Sequence, residues 1–204
     1  MSKKVLMKIG GVPVYWDGSV ISYTGEMTCC ADGSPRCYGP EGCSPEPLDY
    51  LGNAGYPGNW WGITVDKHGQ PYVQQAESND QMHPYPGLYV SCTAYFHSAY
   101  PEYDCRRWVD AEKVAFSVIP SNVRSAVGPK FLGCHADITD SKTKKNLKLV
   151  CAEIGQSNHL GEASMLACKF FGLSADPKSG GSSDKKRWLY RFWPGVNAEG
   201  WQLI

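Results

Sequence analysis

The chain has 204 residues, with 20 Lys and Arg against 20 Asp and Glu, so no global field steers it to nucleic acid or an anionic membrane surface. A hydrophobic content of 42% provides for a real core, while 22 glycines and 14 prolines favour turns and short strands over long helices. No run of about 18 apolar residues occurs, which excludes a membrane-spanning helix from the expected fold, and the length fits a single domain over residues 1–204.

In chain order, the first segment, MSKKVLMKIGGVPVYW, has its apolar run broken by Lys8 and followed by Gly10, Gly11 and Pro13. It reads as strands over residues 5–9 and 12–16, not as a signal peptide. The expectation is synthesis in a cytoplasm without a leader, with release by lysis or a specialised secretion machine. Residues 28–62 are dense in Gly, Pro, Asp and Asn and predict a long ordered loop pinned by cysteines and aromatics. Residues 63–65 and 70–74, joined by DKHGQ, predict a hairpin. GLYVSCTAY at 87–95 alternates and predicts a strand. Residues 114–119 read as a buried strand ended by Pro120, and residues 130–138 and 148–152 as two more, joined by a lysine-rich turn. At 161–171, GEASMLACKFF places Ala163, Leu166, Ala167 and Phe170 at helical spacing, with Gly172 as cap. Residues 187–193 close the series as a strand. The expected class is mainly β, barrel-like, with seven or eight strands and one late helix.

Nine cysteines are present, at 29, 30, 37, 43, 92, 105, 134, 151 and 168. An odd number leaves at least one unpaired within a monomer. The early C-C-x6-C-x5-C cluster lacks the C-x2-C knuckle of structural zinc sites. Disulfides, buried thiols and a metal site all remain open for it, and Cys151 and Cys168 fit small core residues. No cofactor is expected.

Two glutamates, Glu153 and Glu162, lie nine residues apart around the polar loop IGQSNHLG. Two carboxylates facing one cleft are the minimal equipment of glycoside hydrolysis, one acid for the leaving oxygen and one base for water. Glu162 in the first turn of the predicted helix would be stabilised as an anion and serve as the base. Glu153, after the apolar strand, would be partly buried and serve as the acid. Capping alone also explains a glutamate in a first helical turn.

The stretch AEIGQSNHLGEAS resembles the pattern D-T-G-P-x-N-x-x-G-E-x-S around the catalytic acids of glycoside hydrolase family 75, the chitosanase family. Gly155, Asn158, Gly161, Glu162 and Ser164 stand at matching offsets, and Glu153 stands where the family has aspartate. Other pieces follow in the family's order: ADGSPRCYGP at 31–40, NAGYPGNWWGI at 53–63, YVSCTAY, RRWVDAEKVAFSVIP, VGPKFLGCHADI and the late FWPG. The match runs over about residues 28–195. The resemblance implies a double-psi type β-barrel and an enzyme that cleaves a β-linked amino-sugar polymer, chitosan or bacterial cell-wall glycan. Glu153 and Glu162 would be catalytic, with Asn158, His159, Ser164, Trp60 and Trp61 on the substrate side. An immunity protein would be a partner if the chain acts as an antibacterial toxin. The alternative is a non-catalytic carbohydrate-binding or phage-associated interaction domain on the same barrel, which the glutamate at 153 favours.

Other residues have a competing structural reading. Trp60 and Trp61 sit in a Gly/Pro-rich loop and could stack on sugar rings or pack beneath it. Tyr85, Tyr89, Trp108, Tyr190 and Trp193 are further aromatics near predicted loops. His159 lies inside the loop between the glutamates and could touch substrate or tune a carboxylate. Ser164 lacks a G-x-S-x-G elbow and reads alone as a helix-start hydrogen bonder. Asp137 and Asp140 are alternative acids, more simply a strand end and a turn. His135 reads as a strand residue, and Asp32, in CADGSP, as a turn residue. A Cys–His nucleophile from Cys134 or Cys151 with His135 or His159 matches no known hydrolase signature.

Overall fold

The computed structural model describes residues 3–76 and 81–198. The protein is mainly β, organised on one large mixed sheet with few helices. The N-terminal alternation yields β1 (Lys4–Ile9) and β2 (Val12–Trp16), as the sequence predicts, turning on Gly10 and Gly11. β3 (Ile21–Gly25) follows, a strand not legible in sequence, and then β4 (Thr28–Cys30) inside the expected loop. A small hairpin, β5 (Gly55–Tyr56) and β6 (Asn59–Trp60), follows. Next come β7 (Phe116–Pro120), α1 (Ser121–Val127), β8 (Cys134–Asp140) and β9 (Asn146–Gly155). The chain continues through β10 (Glu162–Ser164) and α2 (Met165–Phe170) to β11 (Trp188–Asn197).

The sheet order is β1-β2-β3-β11-β8-β9-β7-β10-β4. Two pairs are parallel, β7 with β9 and β4 with β10, and the remaining pairs of this sheet are antiparallel. Among the described residues β1 and β4 stand at opposite ends and are not paired, so the sheet order does not close on itself.

Period-two burial explains the central strands. On β11, Trp188, Tyr190 and Phe192 are fully buried while Arg191 and Trp193 face outward. Tyr23 of β3 stacks on Tyr190 at 5.2 Å between ring centroids and beside Phe192 at 5.9 Å. β7 is buried along its whole length, as expected of a strand paired on both sides and covered. One core runs from Ile9 and Val14 through Ile21, Phe116 and Ile138 to Phe192.

Between β4 and β7 the chain has little regular pairing. The expected hairpin at 63–74 and strand at 87–95 are reduced to single bridges, Ile63 with Ser91, Val65 with Pro71 and Val73 with Tyr89. Polar side chains replace the missing ladder. Buried Gln74 donates through Nε2 to Pro35 O at 2.6 Å and Tyr89 O at 3.2 Å, and accepts from Tyr85 N at 2.9 Å. Buried Asp104 holds Arg106, and Arg36 is paired with Glu112. Such satisfied groups let an irregular chain lie over a core without orphaned donors.

All nine cysteines are free thiols, and seven are buried. Two pairs touch through their thiols, Cys29 with Cys168 and Cys134 with Cys151. No helix among the described residues is long and apolar enough to cross a membrane.

Candidate active site

The single predicted helix over 161–171 is corrected: its first residues form β10, and the helix begins at Met165. Glu162 therefore sits on a strand, not in a first helical turn, and the argument that a helix dipole stabilises its anion fails. The sequence EAS is too short to show alternation, and β10 exists only because it fits between β4 and β7. Gly161 before it adopts φ +100°, and a Cβ there would overlap the Glu26 carbonyl, so only glycine lets the chain enter β10.

β7 separates the two glutamates. Val118 pairs with Glu153 on β9, while Ser117 pairs with Ala163 on β10. Glu153, Val118 and Glu162 thus form one row across three strands, two strand spacings or about 10 Å between backbones. The register between β7 and β9 slips by one residue between the pairs Ser117–Cys151 and Val118–Glu153. A bulge of this kind re-aims the following side chain. Gly155 completes the arrangement: a Cβ there would lie 2.8 Å from Val118 and 3.2 Å from Glu162 Oε2. Its bare backbone gives the Glu162 carboxylate room beside β9.

A third carboxylate joins them. Asp32 lines the same cavity as Glu153 and Glu162, about 500 Å³ and bounded also by Trp61, Thr93 and Gln156. Asp32 and Glu162 line a second, adjoining space of about 190 Å³, with Asp49, Asn53 and Tyr38. The turn reading of Asp32 holds for its backbone, since Gly33 follows at φ +77°. Its side chain is no ordinary turn residue, being half-buried, with Tyr38 Oη donating to Oδ1 at 2.8 Å and the Cys30 thiol 3.5 Å from Oδ2. The signal that could have found it was the DG-x4-Y spacing of Asp32, Gly33 and Tyr38, which puts an acid and its donor on one turn.

Electrostatically the cleft is uncompensated. No Lys, Arg or His lines either space, and among the described residues no ion pair involves Asp32, Glu153 or Glu162. Burial, then the charge of Asp32, pushes Glu162 up to about 7. The same causes raise Glu153 well above the ordinary carboxylate range, against hydrogen bonds from Ile154 N at 2.7 Å and Ala94 N at 2.8 Å. Burial lifts Asp32 to about 6, moderated by Tyr38 and Cys30. Three acids whose proton affinities are all raised can hold and accept protons in the same cleft.

The other residues singled out by sequence are dispersed. Trp61 is 58% exposed and borders the cleft, its Nε1 held by Asn53 O at 2.9 Å and its ring edge-on to Tyr56. Trp60 is half-buried and packs against the core. His159 lines neither space; its Nε2 is 3.0 Å from Thr28 Oγ1 and its Nδ1 3.5 Å from Glu26. Asn158 is exposed and borders neither space, whereas Gln156 does. Ser164 is fully buried; it caps α2 by accepting from Ala167 N and also accepts from Phe116 N. Asp137 and Asp140 are locked to Arg191 and Arg187. His135 stacks beside Trp193, and no pairing of a cysteine with a histidine is seen among the described residues. No cluster of ligating side chains that could hold a metal occurs among the described residues. Comparison of the chain with protein-family models and with curated proteins gives no match.

Proposed function

We propose that the protein is a glycoside hydrolase that adds water across a linkage of a β-linked amino-sugar polymer. The observation that carries this reading is the convergence of Asp32, Glu153 and Glu162 on one open cleft bordered by Trp61 and lacking any cation. Glu153, the acid most reluctant to ionise, protonates the leaving oxygen. Glu162, poised near neutrality, takes a proton from the attacking water. One bond to the leaving oxygen breaks and one bond to water forms, and proton exchange with solvent restores the pair. Val118 lies between the two glutamates in the row across β7, and both carboxylates face the same cleft.

The absence of cations favours a substrate that brings its own positive charge, such as the ammonium groups of a deacetylated amino sugar. The resemblance to family 75 points the same way, and the two parallel pairs within an otherwise antiparallel sheet support the double-psi type of barrel it implies. The longer Glu153 in place of aspartate is accommodated by its two backbone donors.

The test is reducing-sugar release from chitosan oligomers and from purified peptidoglycan, comparing wild type with Glu162→Gln. Turnover should fall on the order of 10²- to 10⁴-fold in the variant, the range for loss of one acid–base group. Absence of release from either polymer by the wild type, with oligomers still bound, would replace the enzyme with a carbohydrate-binding domain.

A further inference from the structure

Sequence marks two carboxylates for this cleft, but the structure holds three, and the third has the more central position. Asp32 is shared by the two adjoining spaces, facing Glu153 and Trp61 in one and Asp49 and Asn53 in the other, with Glu162 common to both. β4 runs parallel to β10 with Ser164 opposite Cys30, and Asp32 follows two residues after the end of β4. Tyr38 Oη fixes one oxygen of the carboxylate and the Cys30 thiol approaches the other. Both donors favour the ionised form.

We propose that Asp32 is a positioning residue whose negative charge keeps the proton on Glu153 and strengthens Glu162 as a base. The inference rests on the hydrolase reading for its consequence but not for its physics. Every charged or titratable neighbour that faces this carboxylate from the packed elements is an acid, a thiol or a phenol: Cys30 on β4, Cys37, Tyr38 and Asp49 in the following loop, Cys92 in the next, Glu153 on β9 and Glu162 on β10. Nothing cationic cancels its field, which acts in a partly buried space where Coulomb forces are strong. For both glutamates Asp32 is the largest charge contribution, second only to burial. A general acid must hold its proton and a general base must bind one well at the working pH. One anion beside both groups serves both needs.

The experiment is a carboxyl-carbon NMR titration of wild type, Asp32→Asn and Tyr38→Phe, alongside the pH profile of chitosan-oligomer hydrolysis. Removing the anion makes ionisation of its neighbours easier. In Asp32→Asn the midpoints of Glu153 and Glu162 should therefore fall, and both limbs of the pH profile should move to lower pH. Tyr38→Phe keeps the carboxylate but removes its donor, so the midpoint of Asp32 itself should rise. Should Asp32→Asn fail to fold, Tyr38→Phe decides: where its Asp32 is protonated and that of wild type is not, Glu153 and Glu162 should ionise more readily, and glutamate titrations that match wild type would overturn the proposal. Glutamate midpoints that stay in place in folded Asp32→Asn would overturn the proposal, and lost turnover with unmoved midpoints would assign Asp32 to direct contact with substrate instead. If the midpoints move but wild type cleaves no polymer, the hydrolase reading falls and the electrostatic role stands.

Discussion

Two sets of acids share one sheet and behave in opposite ways. Asp137 and Asp140 on β8 each meet an arginine of β11 in a two-pronged pair: Arg191 to Asp137 at 2.8 and 2.6 Å, Arg187 to Asp140 at 2.9 and 2.8 Å. Asp140 also accepts from Thr143 Oγ1 and Lys142 N. The Arg187 guanidinium, above all, holds it well below the usual carboxylate range. Asp32, Glu153 and Glu162 shift upward through burial first, with the charge of Asp32 next for the two glutamates and no cation in the cleft to offset it. The two sets differ in their partners: arginines for Asp137 and Asp140, other acids for the cleft residues. Fork-to-carboxylate pairs fix β8 against β11, while the unpaired acids of the cleft hold their protons more tightly.

The largest effect that would break this contrast is catalytic. Glu153→Gln should lower turnover by about 10²- to 10⁴-fold with the fold intact, as read by steady-state kinetics beside a thermal melt. Unchanged turnover would reduce Glu153 to a structural acid like Asp140. Next in size, Asp140→Asn leaves Arg187 facing a neutral amide and should cost about 3 kcal/mol of stability, the low end for breaking a buried pair because the Arg187 side chain keeps 23% exposure. Denaturant unfolding checks this, and activity per folded molecule should not change.

A pH series of melts sharpens the comparison. Glu162 and Asp32 have folded-state values of about 7 and about 6, above ordinary carboxylates, so their contribution is present at pH 4 and lost as pH rises through 6 to 7. Asp140 runs the other way: its contribution is present above the ordinary value near 4 and lost as pH falls below it. Melting temperature should therefore peak near pH 4 to 5, and Glu162→Gln should flatten the alkaline side alone. The smallest effect is at the rim. Trp61→Ala should raise KM about tenfold, on the order of 1 kcal/mol of stacking, with kcat little changed. Trp60→Ala should instead lower the melting temperature, since that ring packs on the core.

Elements with enough length for a period to show were legible in sequence: β1, β2, β9 and β11 all lie within the predicted strands or extend them. The glutamate pair was legible because its spacing is local. What escaped was set by partners far along the chain. β10 has three residues and no period of its own, and it runs into a helix that begins one residue later, so helical spacing absorbed it. α1 follows Pro120 directly with SNVRSAV, whose apolar positions are too few to mark a face. GLYVSCTAY has the alternation of a strand, yet its neighbours are turns and side-chain amides that give it single bridges only. Asp32 looked like any Asp-Gly turn because the two glutamates that share its cleft lie more than a hundred residues away.

The parallel pairing of β4 with β10 also has a consequence in time. It joins Thr28 to Glu162, segments 134 positions apart, and carries Asp32 to the glutamates. Closing so long a loop is entropically costly before any contact rewards it, and chains dominated by distant pairings fold slowly. The neighbouring β8–β9 hairpin closes over a short turn between Asp140 and Asn146. A refolding chain can thus regain much of its strand signal from local pairs, while the cleft exists only once its two distant ends have met. Under the hydrolase proposal, recovery of activity would be a clock for that meeting.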